Sequence, residues 1–272
     1  MRAMDLHVHS TCSADGRSSI AEHVQQAAAL GLVELGFCEH VDFDPRDRDC
    51  GYLNLARYDR ELVDARLLEP GIRVRQGVEI TYQAARASEI DAWVNAHPWD
   101  LVVVSVHLVD YADGWAMVSE PRTTRSYFTG HSQRQAYVPY FEELLRAVRS
   151  GLGDVLGHLD LVKRYGTAYY GPFEPAAFED EIRAVLQAAI EEGAGLEVNT
   201  SGLRQPAGEP YPGLPVLRWY REQGGEIVTI GSDAHHVDDL GAGVCEALDL
   251  VRAAGFRAVA VFEARQVRWI DL

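Results

Sequence analysis

Two short runs constrain this chain more than any other feature: Asp5-Leu6-His7-Val8-His9-Ser10 near its start and Gly231-Ser232-Asp233-Ala234-His235 near its end. Each follows a short apolar segment that reads as a β-strand. Each sets two side chains able to bind metal at positions i and i+2. Successive strand residues point to opposite faces, so i and i+2 share a face. His7 and His9 can therefore reach one metal centre from a strand end, and so can Asp233 and His235. A fold that uses both pairs must close on itself and bring the two ends of the chain together.

The stretch between them alternates. Runs rich in Val, Ile and Leu at 4–9, 33–38, 74–80, 101–107, 154–158, 195–199, 227–232 and 258–262 predict short strands buried on both faces, as in a parallel sheet. Helices are predicted at 19–30, 55–68, 86–96, 134–150, 175–192, 214–224 and 239–254. Ser18 or Ser19 is a candidate cap for the first, with Glu22 in its first turn. Gly31, Gly193 and Gly255 stand where helices should stop. A βα unit repeated about seven times implies an α/β fold with a parallel sheet, closed as a barrel or open and doubly wound. Segments 40–54, 109–133 and 200–213 read as long loops after strand C-termini, a placement that favours function. No linker divides the chain, so one domain over 1–272 is expected.

Charge narrows the partners. Asp and Glu outnumber Lys and Arg by 41 to 25, a formal net charge of -16. That balance argues against nucleic acid, whose phosphates call for a basic surface. It does not exclude a small phosphorylated substrate, since bound cations can invert the local charge. No apolar run is long enough for a membrane span, and no charged-then-apolar leader is visible. The four cysteines, Cys12, Cys38, Cys50 and Cys245, form no C-x-x-C pair and read as reduced thiols of a cytoplasmic protein. An oligomer is possible but nothing indicates one.

The predicted strand ends carry the chemistry. The first ends at His7 and His9, the second at Glu39-His40, the third at Glu79, the fourth at His107 and the fifth at His158. The sixth ends at Glu197-Val198-Asn199-Thr200 and the seventh at Asp233 and His235. In parallel α/β folds the strand C-termini share one edge, where active sites form. Asp15, in the loop after the first strand, can join them. Any one of these residues alone would read as an ordinary hydrogen-bonded turn residue; their recurrence at nearly every strand end does not. Of the other histidines, His23 reads as a surface helix residue, His97 as a turn residue before proline, His131 as a loop residue and His236 as a neighbour of the site. Six imidazoles with Asp15, Glu79 and Asp233 exceed one ion's needs, because zinc takes about four ligands. They suit two or three divalent ions bridged by a carboxylate such as Glu79, and mixed N and O donors favour Zn, Fe or Mn. Such a cluster can bring the pKa of water near neutrality and clamp phosphoryl oxygens during in-line attack.

The set His7-x-His9, Asp15, His40, Glu79, His107, His158 and Asp233-x-His235 resembles the metal site of the PHP (polymerase and histidinol phosphatase) superfamily. The runs Glu39–Phe43, Gly157–Gly166 and Glu197–Arg204 resemble its monofunctional histidinol-phosphatase branch. The resemblance covers the whole chain and implies a distorted (β/α)7 barrel, TIM-like, with a trinuclear site at the strand C-termini. It implies one metal on His7, His9, Glu79 and Asp233, a second on Glu79, His107 and His158, and a third on Asp15, His40 and His235. It implies hydrolysis of L-histidinol phosphate in histidine biosynthesis, with Asp233, His235 and Glu79 as catalytic residues. Several superfamily members have His where this chain has Asp15, a departure that bears on metal preference there. Arg164, Lys163 and Arg204 are the candidate phosphate contacts, Arg164 first because its planar fork matches phosphate. Asp42 and Asp44 are candidates for a substrate ammonium.

Three alternatives remain at this level. A PHP phosphoesterase could act on a nucleotide or sugar phosphate instead. A non-catalytic or polymerase-associated PHP module would not need the intact ligand set. Amidohydrolase barrels also use H-x-H, usually with a metal-bridging lysine at a later strand end, and here no lysine ends a strand.

Overall fold

In the computed structural model the described residues are 3–112 and 114–272. The chain opens with β1 (Ala3–Val8), α1 (Ile20–Leu30), β2 (Leu32–Val41), α2 (Leu55–Leu68), β3 (Arg73–Thr81), α3 (Ala87–Asn95) and β4 (Leu101–Ser105). A hairpin, β5 (Leu108–Tyr111) and β6 (Gly114–Met117), leads into α4 (Pro121–Gly130) and α5 (Gln133–Arg149). Then follow β7 (Val155–Leu156), α6 (Lys163–Tyr170), α7 (Glu179–Glu192), β8 (Gly195–Asn199), α8 (Leu214–Glu222), β9 (Val228–Gly231), α9 (Val244–Ala253), β10 (Ala258–Glu263) and β11 (Gln266–Asp271).

Seven parallel strands form one sheet in the order β1-β2-β3-β4-β7-β8-β9. Its ends meet. The Asp233 amide donates to the His7 carbonyl at 2.7 Å, and the His9 amide donates to the Ala234 carbonyl at 2.9 Å. The expected (β/α)7 barrel is thus what the chain builds, and its seam is stitched by the two runs that carry H-x-H and D-x-H. Strand residues such as Val78, Val102, Leu196 and Val228 are fully buried, as strands wrapped by helices require.

Local signals behave as their chemistry dictates. Ser19 caps α1, and Glu22 answers by accepting from the Ser19 amide at 2.7 Å, a reciprocal capping box. Gly31 ends α1 at φ 72° and Gly193 ends α7 at φ 72°, a left-handed conformation that costs glycine little.

Two expectations are corrected, and one helix is added. Segment 109–133 is not a long loop: it holds part of the β5–β6 hairpin and α4. The spacing Thr124, Tyr127, Phe128 puts three buried side chains on one face of α4, while polar residues dominate the rest of that stretch and mask the helix. Segment 163–170 forms α6. The eighth strand, β10, lies outside the barrel and pairs antiparallel with β11.

Candidate active site

Parallel strands deliver their C-terminal residues to one rim. His7 is next to last in β1 with His9 just beyond the strand, His40 is next to last in β2, and Glu79 sits near the end of β3. His107 follows β4, His158 follows β7, and Asp233 and His235 follow β9. Asp15 lies in the connection from β1 to α1. Strand β8 supplies none of the nine expected ligands, and its Glu197 carboxylate faces inward to His7.

All nine meet at the rim, with Glu79 at the centre. Its Oε2 lies 3.3 Å from His7 Nε2, 3.5 Å from His9 Nε2 and 3.0 Å from His40 Nδ1. Its Oε1 lies 2.7 Å from His158 Nε2 and 3.3 Å from His107 Nε2. Asp233 Oδ1 stands 3.4 Å from His9 Nε2, and Asp15 Oδ2 stands 3.2 Å from His235 Nε2. Imidazole nitrogens also face each other: His7 and His9 at 3.0 Å, His107 and His158 at 3.4 Å, His40 and His235 at 3.4 Å. Two ring lone pairs repel at that range unless a proton or cation lies between them. Buried Asp15 Oδ1 and His158 Nδ1 have no hydrogen-bond partner. The triads His7-His9-Glu79, His40-Glu79-His107 and His9-His40-His235 are each compact enough to share one cation. The donor set therefore fits a multinuclear cluster of divalent ions that accept nitrogen and oxygen.

Electrostatics within the cluster are strong because most of its side chains are buried. Burial pushes the Glu79 carboxyl up, but His107, His7 and His40 outweigh it and hold it well below the usual range. Asp233 is likewise held well below despite burial, first by its bond to His9 and then by His7. Burial lowers His9, and the neighbouring His40 and His235 drive it further down, well below an ordinary imidazole. Burial also opposes the His7 imidazolium, yet Glu197 and Glu79 raise it well above. Asp42 is pushed up to about 7, by burial first and by Asp47 next.

Backbone and buried hydrogen bonds hold this geometry. His158 has φ 23° and Asp233 has φ 55°, two of four described non-glycine residues with positive φ. Such conformations cost on the order of 1–3 kcal/mol each and persist where surroundings enforce them. Buried Glu39 accepts from the Ser10 amide at 3.0 Å and the Ser13 hydroxyl at 2.6 Å. Ser13 Oγ in turn accepts from the His40 amide at 2.9 Å and lies 3.4 Å from His9 Nδ1.

Above the cluster lies a cavity of about 530 Å³ whose lining includes Arg17, Asp42, Arg48, Arg164 and Arg204. Arg164, at the start of α6, stacks its guanidinium over Tyr165 at 5.2 Å and has no ion pair among the described residues. Arg204 also lines the cavity but already donates to the Ser232 carbonyl at 2.8 Å and pairs with Asp239 at 3.2 Å. Lys163 is a correction. Its ammonium is fully buried and faces away from the cavity, at 2.8 Å from Asp160, 2.8 Å from Glu209 and 3.1 Å from the Pro210 carbonyl. Three donors meet three acceptors, which leaves none for phosphate. Asp44 is turned away as well, paired with Arg46 at 2.8 Å, whereas Asp42 lines the cavity.

His23 is not on the surface: it is fully buried on α1 against the edge of Phe37. His97 and His131 donate from Nδ1 to the carbonyls of Trp93 and Tyr127, local turn contacts of the kind expected. Cys12 and Cys38 are buried, and burial pushes the Cys12 thiol up to about 12, which disfavours the thiolate a metal needs. Sequence reasoning passed over Arg17, Arg48 and Asp49. Arg48 pairs with Asp15 at 2.8 Å, and Asp49 lies close enough to Asp15 and His40 to share a cation with them. The Asp- and Arg-rich composition of 40–54 was the available signal.

The PHP domain family model matches residues 5–201. The chain belongs to that family. Histidinol-phosphatase of Lactococcus lactis subsp. lactis is 28% identical over 98% of this chain and 97% of the relative. Histidinol-phosphatase of Bacillus subtilis is 25% identical over 89% of this chain and 96% of the relative. Among solved structures, the crystal structure of histidinol phosphate phosphatase from Lactococcus lactis, complexed with zinc, L-histidinol and phosphate, superposes with a TM-score of 0.88 at 28% identity, covering 98% of this chain and 99% of that one. The PHP assignment made from strand-end residues therefore agrees with the family match and with a likeness in fold over almost the whole chain.

Proposed function

We propose that this PHP protein is a metal-dependent phosphomonoesterase that hydrolyses L-histidinol phosphate to L-histidinol and phosphate, a step of histidine biosynthesis. One observation carries the reading: near full-length likeness, in sequence and fold, to a phosphatase solved with zinc, L-histidinol and phosphate. The cavity over the Glu79 cluster supports it with a charge pattern that suits such a substrate. Arginines in its lining match a phosphoryl group, and buried Asp42 matches a cationic amine.

His7, His9, Glu79 and Asp233 would hold one divalent ion. Glu79, His107 and His158 would hold a second, and Asp15, His40 and His235 a third. Two to three ions drawn from Zn, Fe and Mn suit these donors. Bound there, they would supply an activated water and neutralise phosphoryl charge. Arg164 would orient the phosphoryl group through its fork, helped by Arg204. The buried rim would exclude bulk water, which strengthens each of these contacts. Asp233 is held ionised, so the proton for the leaving alkoxide oxygen would come from His235, which is partly open to the cavity.

Residues 1–272 would work as one domain, in the cytoplasm, where the four unpaired cysteines are at home. Among the described residues no helix is long and apolar enough to cross a membrane. Neither nucleic acid nor a membrane surface is expected as a partner of so acidic a chain, and an oligomer is not required. The decisive experiment is a screen of phosphate monoesters with metal-reconstituted protein. Histidinol phosphate should be hydrolysed with the highest kcat/KM; much faster hydrolysis of a nucleotide or sugar phosphate would overturn the substrate assignment.

A further inference from the structure

Strand β8 poses a question. It sits between β7 and β9, both of which deliver expected ligands, yet it delivers none itself. At its middle stands Glu197, fully inside the barrel at 1% exposure. Its Oε1 lies 2.6 Å from His7 Nδ1. Its Oε2 accepts from the His158 amide at 3.0 Å and from Asn199 Nδ2 at 3.2 Å. Asn199 Nδ2 also reaches Asp233 Oδ2 at 3.3 Å. One carboxylate thus touches β1, supports the φ 23° backbone after β7 and connects through Asn199 to β9.

Small neighbours make the approach possible. A Cβ on Gly231 would lie 2.6 Å from Glu197 Oε1 and 2.3 Å from His7 Cβ. Glycine at 231 therefore clears the space in which carboxylate and imidazole meet.

We propose that Glu197 is a positioning residue of the metal site, one that keeps the proton of His7 on Nδ1, leaves Nε2 bare toward Glu79 and the cluster, and anchors the backbone of His158. The inference rests on the reading that His7 and His158 are ligands. The chemistry is that of a metal-bound histidine whose second nitrogen donates to a carboxylate, which sets the tautomer and the ring orientation. A carboxylate accepts at both oxygens, so it can receive His7 Nδ1–H on one side and two N–H donors on the other.

An amide cannot. In Glu197→Gln the two donors facing Oε2 would draw the amide oxygen to that side. The amide NH2 would then face His7 Nδ1, force the ring proton onto Nε2 and block it as a ligand. The substitution is isosteric and leaves the hydrophobic core untouched.

The test is zinc affinity, measured by competition with a chromophoric chelator on protein whose fold is checked by circular dichroism. Glu197→Gln should weaken at least one zinc site by tenfold or more, in line with losses of roughly 10–100-fold when such partners are removed. A smaller loss in folded protein overturns the proposal. A second measurement needs no variant: in zinc-loaded wild-type protein, ring 15N–1H correlation spectra should show His7 protonated at Nδ1 and bare at Nε2. The opposite tautomer overturns the proposal, even if Glu197→Gln proves unable to fold. The two readings fail separately. Wild-type protein that binds no zinc sinks the metal assignment along with this inference; zinc bound equally by wild type and Glu197→Gln sinks this inference alone.

Discussion

Replacing Lys163 with Met tests whether this residue serves the substrate or the fold. The ammonium is fully buried, with ion pairs to Asp160 and Glu209 at 2.8 Å each. Phe173 and Tyr211 present ring faces at 5.5 and 5.1 Å. Methionine fills nearly the same volume without the charge. Glu209 is part-exposed and can turn to water, but Asp160 is 1% exposed, and its Oδ1 already lacks a partner. Breaking a buried pair by removing one partner costs about 3–5 kcal/mol, because an uncompensated charge stays behind. At about 2–4 °C per kcal/mol for a chain somewhat shorter than this one, the melting temperature should fall by about 6–20 °C. Thermal and urea unfolding read the loss. KM for the phosphate ester should stay within about twofold, since the ammonium does not line the cavity. Adding Asp160→Asn should recover part of the stability by removing the stranded charge. A Lys163→Met protein with unchanged melting temperature and a tenfold higher KM would refute this reasoning and return Lys163 to the phosphate.

Further outcomes follow from the same geometry. Arg164→Ala should raise KM by roughly tenfold or more, since a charge-assisted hydrogen bond contributes about 1.5–3 kcal/mol; steady-state kinetics with an unchanged kcat/KM would show that Arg164 never meets phosphate. Glu79→Gln or His235→Ala should abolish phosphatase activity while circular dichroism keeps its wild-type form, and near-normal turnover in either would refute the assignment. Elemental analysis should find two to three transition-metal ions per chain; one or none, with every ligand present, would sink the multinuclear cluster. Burial lowers the His23 imidazole to about 4, against 6.5 for an ordinary histidine. Its folded pKa is depressed, so its contribution is complete above pH 6.5 and is lost as pH falls toward 4, where the unfolded chain alone binds the proton. The span is about 3 kcal/mol. Urea unfolding at pH 4.5 and 7.5 should show a shallower pH dependence in His23→Leu than in wild type, and equal dependences would mean that His23 is charged in the fold.

Read residue by residue, the ligand rim was legible because its rules are local. Period-two alternation puts His7 and His9 on one side of β1, and Val-rich runs mark where strands end. A parallel barrel then gathers whatever sits at those ends, which is why His40, Glu79, His107, His158, Asp233 and His235 meet without any contact being known beforehand. Caps at Ser19 and stops at Gly31 and Gly193 follow from backbone chemistry within a turn. The remaining features depend on partners far along the chain. Whether Lys163 serves phosphate or fold is decided by Glu209, 46 residues later. Glu197 reads as an ordinary strand carboxylate until barrel closure brings His7, 190 residues earlier, to its Oε1. His23 looks like a surface residue until Phe37 covers it. The sequence by itself thus determined which side chains could bind metal and which strand ends would carry them. Tertiary structure alone decided which charges are paired, which are buried and which face the cavity, because burial and pairing arise only when distant segments pack.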